Sequence, residues 1–171
     1  MSEPSKASEE VKRALQERGL LAERRPEDES QTAAHTSIDV LRFYCQIAFL
    51  IASSDGVLSE EEHYAIGSLL RSLLDVEVSQ DALDEWVDQV DQVVQNHGVE
   101  TAMGMLAASM TEPSVRRSAL AIAAAVGCVD GPLCEEEVSV FESLADAFDI
   151  DDGDAREVLE TCEQVLRDRS R

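Results

Sequence analysis

The residues best suited to chemistry sit in one octapeptide pattern that occurs twice. Asp55-Gly56-Val57-Leu58-Ser59-Glu60-Glu61-Glu62 returns 75 positions later as Asp130-Gly131-Pro132-Leu133-Cys134-Glu135-Glu136-Glu137. Both copies read D-G-x-L-x-E-E-E, each after an apolar run and before an amphipathic one. The match extends outward at the same shift, with Ile47-Ala48 answering Ile122-Ala123. Leu74-Asp75-Val76 answers Phe148-Asp149-Ile150 with one residue of slippage. The pattern predicts a duplicated acidic helix–loop–helix corner.

Such a corner has a structural use and a chemical one. Gly56 and Gly131 suit the left-handed residue just past a helix end. Ser59 and Glu62 have the spacing of a capping box. Glutamates in a first turn favour the positive helix end by ~0.3–1 kcal/mol each. Two details go beyond capping. Glu137 persists where Cys134 replaces the capping serine, and both aspartates recur although a glycine-terminated helix needs none. Corners related by a pseudo-twofold axis would bring Asp55, Glu62, Asp130 and Glu137 together. Four gathered carboxylates call for protonation or a cation. All-oxygen ligation suits a divalent ion such as Ca²⁺, Mg²⁺ or Mn²⁺.

The elements that must position these residues read as helices throughout. Ser37 is placed to cap a first helix running to about Ser53, apolar on most sides from Phe43 onward. Ser59 caps a second, in which Ile66, Leu69, Leu70 and Leu73 keep helical spacing. Ser79 starts a third, closed by His97 and Gly98, and a short fourth covers Val99 to Met110. Pro113 opens a fifth whose Ala119–Val126 run makes it the second central helix. The sixth spans about Glu135–Phe148 and the seventh about Asp154–Arg167. The class is all-α, about seven helices in two pseudo-repeated halves. Residues 1–35 form a flexible, charged N-terminal segment in this reading, dispensable for folding, and 36–171 form the helical domain. A stripe at Val11, Ala14 or Leu15, and Leu21 in the segment is thin and interrupted by Gly19.

Composition narrows the function classes. The net charge is −22; residues 1–35 hold six basic and eight acidic residues, and the rest holds eight Arg, no Lys and 28 acids. A domain of that charge repels nucleic acid and anionic membranes and attracts cations or basic proteins. Aromatics are only 4%, so the core must be aliphatic, which favours close-packed helices. Cys45, Cys128, Cys134 and Cys162 form no C-x-x-C pair and suit a reduced cytoplasmic protein. No apolar run reaches the ~20 residues of a membrane span, so no direct membrane insertion is expected. Asp149-Ile150-Asp151-Asp152-Gly153-Asp154 has its glycine misplaced for a calcium loop and reads as a capped helix start. His63 reads as exposed beside Glu62. No nucleophile–base–orienter set accompanies the acids, so the chain is not expected to be an enzyme.

Ala52-x-x-Asp55-Gly56-x-Leu58-Ser59-x-x-Glu62 after an apolar helix, repeated once in an all-helical domain, resembles the tellurite-resistance TerB family over about residues 36–168. The resemblance implies a seven-helix domain in which Asp55, Glu62, Asp130 and Glu137 form a metal-binding acidic site. It also implies a role in bacterial responses to tellurite and other chemical stress, through protein partners that include membrane-associated complexes. Related domains serve as modules beside co-chaperone J-domains. The other reading is a metal-free interaction module whose acidic surface binds a basic partner. Cys134 and Pro132 depart from the family pattern in the second corner.

Overall fold

Two helices set the frame of the computed structural model, which describes residues 6–21, 33–54, 56, 58–74, 76–128 and 131–169. They are α2 (Ala33–Ala52) and α6 (Pro113–Gly127). Every residue of α6 from Ser118 to Val126 is buried, and its many alanines let neighbouring backbones approach closely. Along α2, Cys45, Ile47, Ala48 and Ile51 are fully buried. The Tyr44 hydroxyl meets the Ser118 side chain, and Ile51 lies beside Gly127 seven and nine residues further on. The two helices therefore run in the same direction and end together.

The other helices wrap this pair: α1 (Lys6–Glu17), α3 (Glu60–Leu74), α4 (Gln80–His97), α5 (Val99–Ser109), α7 (Glu135–Ala147) and α8 (Asp152–Arg169). The fold is all-α, with no strand among the described residues. Of the eight helices among the described residues, seven answer to the sequence reading, but α2 begins at Ala33, so Ser37 lies inside it and is not its cap. Ser79 caps α4 by accepting from the Ala82 amide at 3.3 Å. Gly67 admits α4 against α3, since a β-carbon there would stand 2.9 Å from Leu83. Asp151 opens α8 by accepting from the Gly153 amide at 2.8 Å, so that acidic run is a helix start.

Arginine ties helix ends inside the fold. Arg116 of α6 donates to the carbonyls of Met110 and Ala107, both at 2.6 Å, and of Phe148 at 3.3 Å. It thereby holds the C-terminal ends of α5 and α7, where a cation complements the helix dipole. Arg71 does the same for the α3–α4 connection, with Nε 2.8 Å from the Val78 carbonyl. No described helix is long and apolar enough to cross a membrane.

The N-terminal segment differs from the sequence reading. Val11, Leu15, Leu20 and Leu21 are all buried in the common core, and α1 packs on α3 and α8. Gly19, read from sequence as an interruption, instead ends the helix cleanly. With φ +66° it lets its own amide bond the Gln16 carbonyl (2.9 Å) and the Leu20 amide bond the Leu15 carbonyl (2.8 Å). That is a Schellman turn, and it folds Leu20 and Leu21 back beneath the helix. Ser118 Oγ then donates to the Leu20 carbonyl at 3.2 Å. The stripe seemed too thin because Leu20 and Leu21, which complete the apolar face, lie beyond the helix. Residues 22–32 lie outside the described residues.

Removing apolar atoms from this contact should destabilise the whole domain. Leu15→Ala, at a fully buried position, should cost ~2–5 kcal/mol and lower the melting midpoint by roughly 5–15 °C. A chain starting at Thr36 should lose more. Melting of either at the parent's temperature would return α1 to the status of an accessory.

Candidate functional site: two acidic corners

Because α2 and α6 end side by side, the chain leaves both at the same end of the molecule. The two exits are built alike. The Ser53 amide bonds the Phe49 carbonyl at 3.0 Å, and the Gly56 amide bonds the Ser53 carbonyl at 3.3 Å. In the second copy the Cys128 amide bonds the Ala124 carbonyl at 3.0 Å, and the Gly131 amide bonds the Cys128 carbonyl at 3.2 Å. The glycines themselves differ. Gly131 has φ +153°, whereas Gly56 is not among the glycines of positive φ. The first exit has no need of it, because Ser54 Oγ donates to the Ile51 carbonyl at 2.6 Å and helps close the helix end.

At the start of α3, Glu62 Oε2 accepts from the Ser59 amide and the Ser59 hydroxyl, both at 2.7 Å. The Glu62 amide returns a bond to Ser59 Oγ at 3.3 Å, so the capping box is complete. These bonds, the backbone one foremost, hold the Glu62 carboxyl below the usual glutamate range although the side chain is fully exposed. At the start of α7, Glu137 Oε2 accepts from the Cys134 amide at 2.8 Å. This explains why Glu137 persists without a serine before it. The carboxylate half of the box works on the backbone amide and does not need the cap residue's side chain.

Leu133, in the second loop, sits directly on Gly127, where a β-carbon would overlap it. Glu137 Oε1 borders the same glycine, so the second corner is clamped onto the end of α6. Glu163 of α8 reaches this end too. After burial, its charge and that of Glu137 help push the Cys128 thiol up to about 12. Glu163 has no counterpart in the repeated motif, and only the packing of α8 on α6 brings it here.

Of the four residues expected to gather, Glu62 and Glu137 are each engaged in capping. Asp55 and Asp130 lie outside the described residues. Among the described residues no three His, Cys, Asp or Glu side chains come close enough to hold a metal ion. A shared site would therefore need the loop aspartates. His63 corrects another expectation, since it is half-buried. Its ring lies 4.5 Å from that of Phe49, and Nδ1 is 3.4 Å from Asp84 Oδ1. Being next to Glu62 turns it inward toward α2 and α4.

The geometry defines an acidic all-helical domain whose two parallel central helices each end in a D-G-x-L corner leading into a glutamate-capped helix. Residues 44–160 match the family model described as tellurite resistance protein TerB, and the chain belongs to that family. The matched span includes both corners and leaves α1 outside. No curated protein and no solved structure matches the chain.

Two outcomes follow from the site's chemistry. Because the folded state holds the Glu62 carboxyl below its unfolded value, it adds stability that is present above the ordinary glutamate range and lost as pH falls below ~4. Glu62→Gln should therefore flatten the acid limb of a melting-temperature profile; an unchanged limb would show the box to be inert. The thiols of all four cysteines are raised, those of Cys45, Cys128 and Cys162 by burial, so exposure distinguishes them, and only Cys134 is less than fully covered. Mass spectrometry after brief alkylation at pH 8 should find Cys134 modified well before the other three.

Proposed function

We propose that this TerB domain is non-enzymatic and binds a divalent cation, Ca²⁺, Mg²⁺ or Mn²⁺, where the two corners meet. It would then act through a protein partner in a bacterial, cytoplasmic response to tellurite or related chemical stress. The observation that carries the reading is the shared direction of α2 and α6. Their carbonyl ends, each bearing partial negative charge, converge at one end of the molecule. Both D-G loops leave from there, and Glu62 and Glu137 stand just beyond.

The donor set fits such an ion. A carboxylate offers about four lone-pair sites, so an oxygen that caps a helix does not exhaust it. Glu62 is kept ionised by its cap bonds, as a ligand must be. Asp55, Glu62, Asp130 and Glu137 would hold the ion, whose charge would relieve repulsion between the corners and draw the two halves together. Membership of the tellurite-resistance family is the support for tellurite. The net charge of −22 supports a cation or a basic protein as the partner.

That both glutamates already serve as caps favours one rival, a metal-free corner that presents its acids to a basic partner. Melting curves of the parent, Glu62→Gln and Glu137→Gln, in chelator and in millimolar divalent ion, separate the two. An ion at a hundred times its dissociation constant should add ~2.7 kcal/mol to the parent, several degrees at this size. In chelator the variants should lose at most the modest capping contribution, and in metal they should also lose most of the ion's gain. Parallel curves with no response to any of the three ions would leave these glutamates as helix caps and favour the rival.

A further inference from the structure

The two corners are alike in sequence but are fastened to the fold by different means. In the second, Leu133 takes the space beside Gly127 that a β-carbon would fill. The repeat puts Ala52 at the place of Gly127 and Leu58 at that of Leu133. Ala52 carries the β-carbon that this seat excludes, so the first corner cannot be held in the same way. It has His63 instead, where the second corner has Val138. From Ser59 to Ala65 every residue is exposed except His63, and the next buried residue of α3 is Ile66. The His63 ring packs 4.5 Å from that of Phe49, in the last turn of α2. It is the first inward hold that α3 has on its neighbours.

The polar edge of the ring continues this hold into α4. Nδ1 lies 3.4 Å from Asp84 Oδ1, and that oxygen also accepts from Gln80 Nε2 at 2.8 Å. Gln80 Oε1 in turn accepts from Arg71, in the last turn of α3, at 2.9 Å. The first two turns of α4 thus secure α3 at both ends. Successive side chains leave a helix about 100° apart, so a fixed His63 ring fixes the direction in which Glu62 leaves α3. We infer that His63 is the positioning residue of the first corner, setting the first turn of α3 so that Glu62 is presented to the cation. The inference rests on the cation reading of the corners and adds to it a residue outside the repeated motif. A residue that orients a metal ligand typically accounts for ~10–100-fold in affinity.

The test compares full chains of the parent, His63→Ala and His63→Phe, well below their melting points. The Ser59 amide reports on Glu62 without metal, since Glu62 Oε2 accepts from it at 2.7 Å. In chelator, His63→Ala should move the Ser59 amide resonance toward its position in Glu62→Ala. The Cys134 amide, bonded to Glu137 in the other corner, should stay where it is. Calorimetric titration with Ca²⁺, Mg²⁺ and Mn²⁺ should show ~10–100-fold weaker binding by His63→Ala. His63→Phe keeps a ring against Phe49 and should recover most of both signals. Should His63→Ala fail to fold, His63→Gln, which has no ring but keeps a polar group toward Asp84, takes its place. A merely structural role would lower the melting midpoint and leave the resonance and the affinity of the folded protein unchanged, and either result would overturn the assignment. A parent that binds none of the three ions would overturn it too, by removing the site, and the Ser59 resonance tells that failure from one of His63 itself.

Discussion

The structure depends on two helices lying side by side and pointing the same way. Neighbours in a short-looped helical bundle usually alternate direction, because a brief turn reverses the chain. For α2 and α6 to run parallel, the chain must travel back between them, and α3, α4 and α5 make that return. Both central helices then end on one side, each with carbonyls lacking intrahelical partners. The serine hydroxyl at Ser54, the tight turns at Gly56 and Gly131, and the seat of Leu133 on Gly127 all deal with that end. Alanine makes the approach close enough to matter, as α6 has four alanines fully buried between Ala119 and Ala124.

The same end receives the starts of α3 and α7, whose amides present positive charge. Three glutamates in each first turn answer it, with the third of each set bonded to the cap residue's amide. Capping and ligation are thus not exclusive uses of one side chain. A carboxylate fixed and ionised by amide bonds is also an oriented donor, and the cap removes the entropy cost of arranging it. The excess of acid has a second origin, in how the few arginines are used. Arg71 and Arg116 point inward to backbone carbonyls, so they do little to neutralise the outer faces. The outer face of α4 is left with carboxylates and no cation of its own.

Helix existence, type and order could be read from the chain because each depends on local signals. These are the capping serines, Pro113 at a first turn, the 3.6-residue spacing of aliphatics and the glycines past helix ends. The central place of α2 and α6 was equally plain, since a helix apolar on every side must be enclosed. The corner motif announced itself by repeating, and its glutamates took the N3 positions that their spacing from Ser59 and Cys134 required. Asp149-Ile150 shows the same locality. With φ +56° at Asp149, the Ile150 amide closes on Ala145 as the Val76 amide closes on Arg71, at the positions the repeat had paired.

What tertiary structure alone decided concerns partners distant in sequence. That α1 belongs to the core turns on Leu20 and Leu21, which join Val11 and Leu15 only after the Gly19 turn and only because α3 and α8 leave them a place. His63 faces inward because Phe49 and Asp84 meet it from two other helices. Glu163 stands beside Cys128 through the docking of α8 on α6. Local sequence determines the form of each helix and its caps, since these are settled within a few residues by backbone hydrogen bonds. The side of a helix that finds a neighbour, and the residues brought together at its end, depend on the packing of the whole chain.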